Sequence, residues 1–218
     1  MAKVLTGLSA VVAGIVAAVS LSVGCALSEP GARSGAQVKS IECGKPAPAF
    51  TLPDSRGGKR SLSDYAGKVV VLEWVNFDCP FVRKHYDSKN MQGLQKFASD
   101  RGVVWLTVCS SADGRQGNFE AAEINRRIKE KGATPTAYLI DAGGATGIAY
   151  GARSTPHMYI VDPKGILIYQ GAIDDIASTD ITDVPKANNY VRQALTEALA
   201  GKPVSVASTK AYGCSVKY

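Results

Sequence analysis

The segment 74-WVNFDCPFVRKHY-86 holds the residue with the plainest chemistry in the chain. Cys79 follows a strongly apolar run, 69-VVVLEWV-75, and is followed at once by Pro80. The nucleophilic form of cysteine is the thiolate. At a helix N-terminus, unpaired backbone N–H groups and the helix dipole stabilise that negative charge. Proline is tolerated at the first helical position. A Cys-Pro step after a strand therefore predicts a reactive thiol at a strand-to-helix junction. Arg83, Lys84 and His85 lie within the next two turns and would add positive potential. The plainer alternative is a structural cysteine that ends the strand.

Glu73 interrupts the same apolar run six residues before Cys79. A buried carboxylate is costly unless it has a partner or a task, and burial would raise its pKa toward the working range. The other reading is an outward-facing strand residue. His157, directly after Thr155-Pro156, is a candidate neighbour for the thiolate, or else an ordinary surface or core histidine. Cys109 ends a second apolar run and reads as a small buried hydrophobe. With only His85 and His157, and no close cysteine pair beside them, neither a metal site nor a cofactor is expected.

The elements around these residues alternate. A short strand at 50-FTL-52 leads through the turn 53-PDSRGGKR-60 to the buried strand 69-VVVLEWV-75. After Cys79 the period changes to helical, with Met91, Leu94, Phe97 and Ala98 on one face. Next come a buried strand 103-VVWLTVC-109, a helix over 118–131 with Ile124 and Ile128 inward, a strand 136-TAYLI-140 and a short helical piece near Ile148. The runs 157-HMYIV-161 and 166-ILIYQ-170 flank 162-DPKG-165, a hairpin signal. A last helix carries Val191, Ala194, Leu195, Ala198 and Leu199 on one face and stops at Gly201. This order predicts an α/β layered sandwich, a central mixed sheet flanked by helices.

The domain organisation reads as four parts. Residues 1–24 hold Lys3, an uncharged apolar run and a small-residue zone, the form of an export signal. Ordinary cleavage, lipidation of Cys25 after Val23-Gly24, and retention as an uncleaved anchor tethered to the membrane are three readings of it. Each places the folded part outside the cytoplasm, in the periplasm or anchored facing it. Residues 25–45 have few large side chains and read as a flexible linker. The folded domain is expected over 46–201, followed by a mobile tail, 202–218, that carries Cys214. The net charge of +6 is mild and scattered; it forms no basic stripe, which argues against a nucleic-acid partner.

From 45-KPAPAFTLPD-54, 67-GKVVVLEWVNFDCPF-81, 155-TPHMYIVDPKGILIYQG-171 and 212-YGCSVKY-218, the chain resembles redoxins of the alkyl hydroperoxide reductase/thiol-specific antioxidant group. These belong to the thioredoxin-like superfamily. The resemblance covers roughly Cys43 to Tyr218 and is nearest to an exported subgroup with a single-cysteine motif. It implies a thioredoxin-like fold, a catalytic Cys79, Glu73 as a buried proton acceptor behind it, and a cis-Pro156 loop packed against the thiol. It departs from both parent patterns. Peroxidases of the group carry Thr and Pro where Asn76 and Leu72 stand, and an Arg where Pro156 stands; Arg83 or Arg153 would have to substitute. Thioredoxins carry a second cysteine where Val82 stands.

A lone nucleophilic thiol needs a resolving thiol. Some redoxins use a C-terminal cysteine for this, which points to Cys214. Cys43 competes for the role, or the two pair as a structural staple. The implied function is an exported thiol–disulfide oxidoreductase that takes a protein or small-molecule disulfide and exchanges electrons with a thiol donor. The alternatives are a thiol peroxidase with an antioxidant role and a non-catalytic binding module of the same fold.

Overall fold

The computed structural model describes residues 41–218. The expected signal at 1–24, Cys25 and most of the expected linker lie outside the described residues. The strands are β1 (Thr51–Pro53), β2 (Lys59–Ser61), β3 (Val70–Trp74), β4 (Val104–Cys109), β5 (Ala137–Ile140), β6 (Ser154–Thr155), β7 (His157–Val161), β8 (Leu167–Gly171) and β9 (Cys214–Ser215). The α-helices are α1 (Pro80–Asp87), α2 (Asn90–Ser99), α3 (Ala121–Lys131), α4 (Ala145–Tyr150) and α5 (Tyr190–Leu199).

Five strands form the central sheet in the order β5–β4–β3–β7–β8. β3, β4 and β5 run parallel, with Leu72 opposite Leu106 and Leu106 opposite Ala137. β7 lies antiparallel to β3, with Leu72 opposite Tyr159, and β8 lies antiparallel to β7. This is the expected mixed sheet of a thioredoxin-like fold. β3 and β4 are buried at every position, which is why their sequences read as continuous apolar runs rather than alternating ones.

The pleat sorts β3 into two sides. Val71 and Val75 join Met158, Ile160, Cys79, Val82, Tyr86, Leu94 and Leu195 in one core. Val70, Leu72 and Trp74 join Phe50, Tyr150, Tyr159 and Val161 in the other. Each large side chain so buried contributes roughly 1.5–3 kcal/mol. The helical stretch after Cys79 is two helices, not one. Lys89 takes a left-handed φ of 64° and turns the chain between α1 and α2. α5 stops at Leu199, with Gly201 in the left-handed region just beyond, a common helix stop.

Both ends of the folded region depart from expectation. Residues 41–45 already pair with the domain: Gly44 N–H donates to the Leu167 carbonyl (2.8 Å) and Leu167 N–H to that of Lys45 (2.9 Å). The C-terminal segment is not a mobile tail. Gln170 N–H donates to the Ala207 carbonyl and Thr209 N–H to that of Gln170, both at 3.0 Å. β9 then pairs antiparallel with β6, setting Cys214 opposite Thr155. Gly213, at φ 136°, allows the close pass, because a Cβ there would lie 2.0 Å from the Thr155 carbonyl oxygen.

Candidate active site

Cys79 stands where β3 gives way to α1. It is the N-cap of α1, in an extended conformation, and Pro80 opens the helix. Asn76 shapes the approach: its Oδ1 accepts from Asp78 N–H (2.9 Å) and its carbonyl from Cys79 N–H (2.9 Å). The sequence offered Asn76 only as a departure from the peroxidase pattern; its task here is to fold the loop that presents the thiol. The Cys79 side chain is fully buried. Its Sγ lies 3.1 Å from the Thr155 carbonyl and 2.7 Å from Cys214 Sγ. The Thr155–Pro156 bond is cis, and the Thr155 carbonyl sets this loop against the thiol.

The electrostatics separate the two sulfurs. Burial pushes the Cys79 thiol up, but hydrogen bonds from the Cys214 thiol, the Thr155 side chain and the Val82 N–H outweigh it. The net position is below the ordinary cysteine range. The Thr155 hydroxyl is buried with no hydrogen-bond partner, so it is free to donate to a thiolate. Cys214 is pushed up, first by burial and then by the neighbouring Cys79. Of the two thiols, Cys79 is the one that ionises first.

Glu73 is fully buried, on the Cys79 side of the sheet. Its carboxylate accepts from Trp105 Nε1 (2.8 Å), Tyr86 Oη (2.9 Å) and Thr107 Oγ1 (3.1 Å). Burial lifts its pKa to about 7 against the pull of these donors. Tyr86 links it to α1, the helix that Cys79 caps. The proton-acceptor role that the resemblance implies for Glu73 would have to pass through these partners, since none of its hydrogen bonds runs to Cys79.

His157 does not join Cys79 either. It sits opposite Trp74 in the β3–β7 register, on the other face of the sheet, stacked on Tyr159 with ring centroids 4.5 Å apart. Its Nδ1 lies 3.1 Å from Tyr159 Oη, and burial drops its pKa to about 4. It lines a cavity of about 330 Å³ shared with Arg153, Gln170 and Thr209. The expected cations of α1 are also redirected. Arg83 is largely exposed and pairs with Asp87 at 3.8 Å. Lys84 is buried against Asp174 at 3.5 Å. His85 is held neutral, its pKa dropped to about 3 by burial and by Lys84. The favourable field at Cys79 comes from backbone N–H groups and neighbouring thiol and hydroxyl donors.

The remaining cysteines sort by contact. Cys43 Sγ donates to the Ala207 carbonyl (3.0 Å), and Cys214 faces Cys79, so a Cys43–Cys214 staple is not what the fold sets up. Cys109 is buried and donates to the Gly117 carbonyl (3.2 Å). Among the described residues, no three or more His, Cys, Asp or Glu side chains gather as metal ligands.

The family profile of AhpC/TSA matches residues 43–170. The chain belongs to the AhpC/TSA family. The match takes in β1 to β7, most of β8, and Cys79, and stops short of Cys214. Among curated relatives, the thiol-disulfide oxidoreductase ResA of Geobacillus kaustophilus is 31% identical over 116 residues, 48% of this chain and 66% of that protein. The thioredoxin-like protein YneN of Bacillus subtilis is 32% identical over 133 residues, 58% of this chain and 69% of that protein. The thiol:disulfide interchange protein DsbE of Allochromatium vinosum is 27% identical, over 60% of this chain and 67% of that one. The chain thus spans about two thirds of the length of these relatives. Among solved structures, a conserved uncharacterized protein from Geobacillus kaustophilus superposes with a TM-score of 0.74 at 26% identity, covering 83% of this chain and 94% of that one. A hypothetical protein from Sinorhizobium meliloti does so with a TM-score of 0.68 at 27% identity, covering 82% and 96%. Unlike the curated relatives, these two structures are matched over nearly their whole length.

Proposed function

We propose that this AhpC/TSA-family chain is an exported thiol–disulfide oxidoreductase with Cys79 as nucleophile and Cys214 as resolving thiol. The observation that carries the reading is the Cys79 sulfur at the start of α1, 2.7 Å from Cys214 Sγ. The names of the curated relatives support the reaction class. In the forward direction, the Cys79 thiolate attacks one sulfur of a partner disulfide. The S–S bond breaks, one partner thiolate leaves, and a mixed disulfide remains. Cys214, having given up its proton, attacks Cys79 Sγ and expels the second partner thiolate. Two electrons pass from the Cys79/Cys214 pair to the partner, and a thiol donor returns the pair to the dithiol state by the same steps in reverse.

Disulfide exchange fits the site better than peroxide reduction. Asn76 spends its Oδ1 on the loop, and its amide faces Gln116. Arg127, on α3, is engaged by Asp78 and Glu123. Of the two candidate substitutes, Arg83 points to Asp87 and Arg153 lines the cavity of His157, so neither Arg83, Arg153 nor Arg127 has a contact that would aim it at an O–O bond on Cys79. Export rests on residues 1–24, with the folded part outside the cytoplasm, and Cys25 is the candidate for lipidation and membrane tethering.

The test compares the rates at which reduced protein consumes a peptide disulfide and hydrogen peroxide, with mass mapping of the product. Fast exchange that ends in a Cys79–Cys214 link, with slow peroxide consumption, is the expected result. Fast peroxide consumption through a Cys79 sulfenic acid would make the chain a peroxidase instead. Ordinary thiol reactivity at Cys79 toward both would leave a binding module.

A further inference from the structure

Tyr212 stands two residues before Cys214 and reaches into a buried polar cluster that the exchange reaction does not use. Its hydroxyl donates to Asp174 Oδ1. Asp174 lies in the loop after β8, almost fully buried, and faces Lys84 Nζ at 3.5 Å and His85 Nε2 at 3.9 Å. Lys84 Nζ also donates to the Ile176 carbonyl (2.8 Å) and lies 5.7 Å from the Tyr212 ring centroid. The edge of the Tyr212 ring packs on Phe81, with centroids 5.8 Å apart. Phe81, Lys84 and His85 all belong to α1, the helix whose first residues hold Cys79. A buried lysine needs its anionic partner, so this cluster is firmly set, and Tyr212 is tied to it.

On the other side of Cys214 the chain is held again. Val216 N–H donates to the Arg153 carbonyl (3.1 Å), Ala112 N–H to that of Lys217 (2.8 Å), and Tyr218 Oη to that of Ala152 (2.7 Å). Between the two anchors, Gly213 lets the strand pass against the Thr155 carbonyl. Cys214 therefore occupies the strand position beside Thr155–Pro156, with its sulfur against the nucleophile.

We infer that Tyr212 is a positioning residue. Its hydroxyl, clasped by Asp174 and His85 Nε2 (3.3 Å), holds the C-terminal strand so that Cys214 stays over Cys79. This rests on the reading of the two cysteines as a redox pair. The clasp sets how favourably the Cys79–Cys214 disulfide forms, because it fixes the effective concentration of one thiol at the other. It also makes the strand a cover that an incoming disulfide must lift to reach Cys79.

The experiment equilibrates the protein with mixtures of reduced and oxidised glutathione and reads the Cys79–Cys214 disulfide by mass. Tyr212→Phe keeps the ring on Phe81 and removes only the hydroxyl. It is expected to lower the equilibrium constant for the internal disulfide by roughly tenfold, the scale for losing a hydrogen bond to a charged group. Labelling of reduced Cys79 by a bulky maleimide is expected to speed up in parallel. Gly213→Ala attacks the strand pairing without touching the clasp and is expected to move both readouts the same way and further. A Tyr212 that merely adds stability would lower the melting temperature of the oxidised and reduced forms alike and leave the equilibrium unmoved. If the link forms in the wild type and is equally favourable in both variants, the clasp is overturned and the redox pair stands. If no Cys79–Cys214 link forms in the wild type, the redox pair itself fails.

Discussion

Cys79 and Cys109 occupy matching places and are prepared for different work. Each is buried, Cys79 in the turn that follows β3 and Cys109 at the end of the neighbouring parallel β4, and each sulfur lies close to a carbonyl, that of Thr155 (3.1 Å) or of Gly117 (3.2 Å). Burial therefore does not distinguish them. Cys79 caps a helix that opens on proline and faces a second thiol, whereas the strand of Cys109 runs on into a loop. The reactivity proposed for Cys79 rests on the helix that begins at the residue and on the thiol folded over it.

The strongest way to break this comparison is to remove each thiol in turn. Cys79→Ser is expected to lower the rate of disulfide exchange by roughly 10³-fold or more, the scale for losing a nucleophile. Cys109→Ser is expected to leave the rate within about twofold and to cost about 1–2 kcal/mol of stability, measured by denaturant unfolding. Equal effects on the rate would end the distinction.

A second experiment sharpens it by pH. Alkylation of Cys79 is expected to reach half its maximal rate below the ordinary thiol range, and Cys214→Ala is expected to move that midpoint up, because a donor to the thiolate is lost. A midpoint that stays put would take Cys214 out of the electrostatics. Cys109 is expected to resist the same reagent until the protein unfolds.

Glu73 lets the shared wall between β3 and β4 be tested. Its folded pKa, about 7, lies above the value of about 4.5 for a free glutamate. The folded state therefore binds the extra proton in this window, and stability falls as pH rises from about 4.5 to about 7. Glu73→Gln removes that contribution. The difference in unfolding free energy between variant and wild type is expected to grow in the variant's favour across the window, by on the order of 2–3 kcal/mol. A pH-independent difference would mean that Glu73 is charged throughout. The smallest effect belongs to His157→Gln, expected to change the exchange rate by less than about twofold, since His157 lies across the sheet. A tenfold loss in the same assay would show coupling through β7.

How much of the molecule was legible in the sequence depended on the range of the interaction. The strand–Cys-Pro–helix junction is local, so β3, Cys79 and α1 were legible from a dozen residues, and the order of strands and helices carried the fold. The face of His157 was not, because β7 is buried on both sides and its apolar pattern carries no parity. Lys84 read as a cation for the thiolate because its partner, Asp174, is distant in the chain. Tyr212 gave no signal at all: an isolated tyrosine in a polar stretch acquires its role only when α1 and the loop after β8 meet. The C-terminal segment read as mobile because it is short of apolar side chains, while the contacts that hold it are made largely by backbone groups and two tyrosines.

The pairing of residues 207–209 with Gln170, together with that of residues 44–45 with Leu167, has a consequence for life at high concentration. β8 is an outer strand of the central sheet, and an outer strand with free N–H and C=O groups is a template for sticking to other molecules. Here the two ends of the folded region bind those groups from either side. The segment that carries the second sulfur is thereby also a solubility device, and a chain cut after Val206 would expose the ladder and invite aggregation.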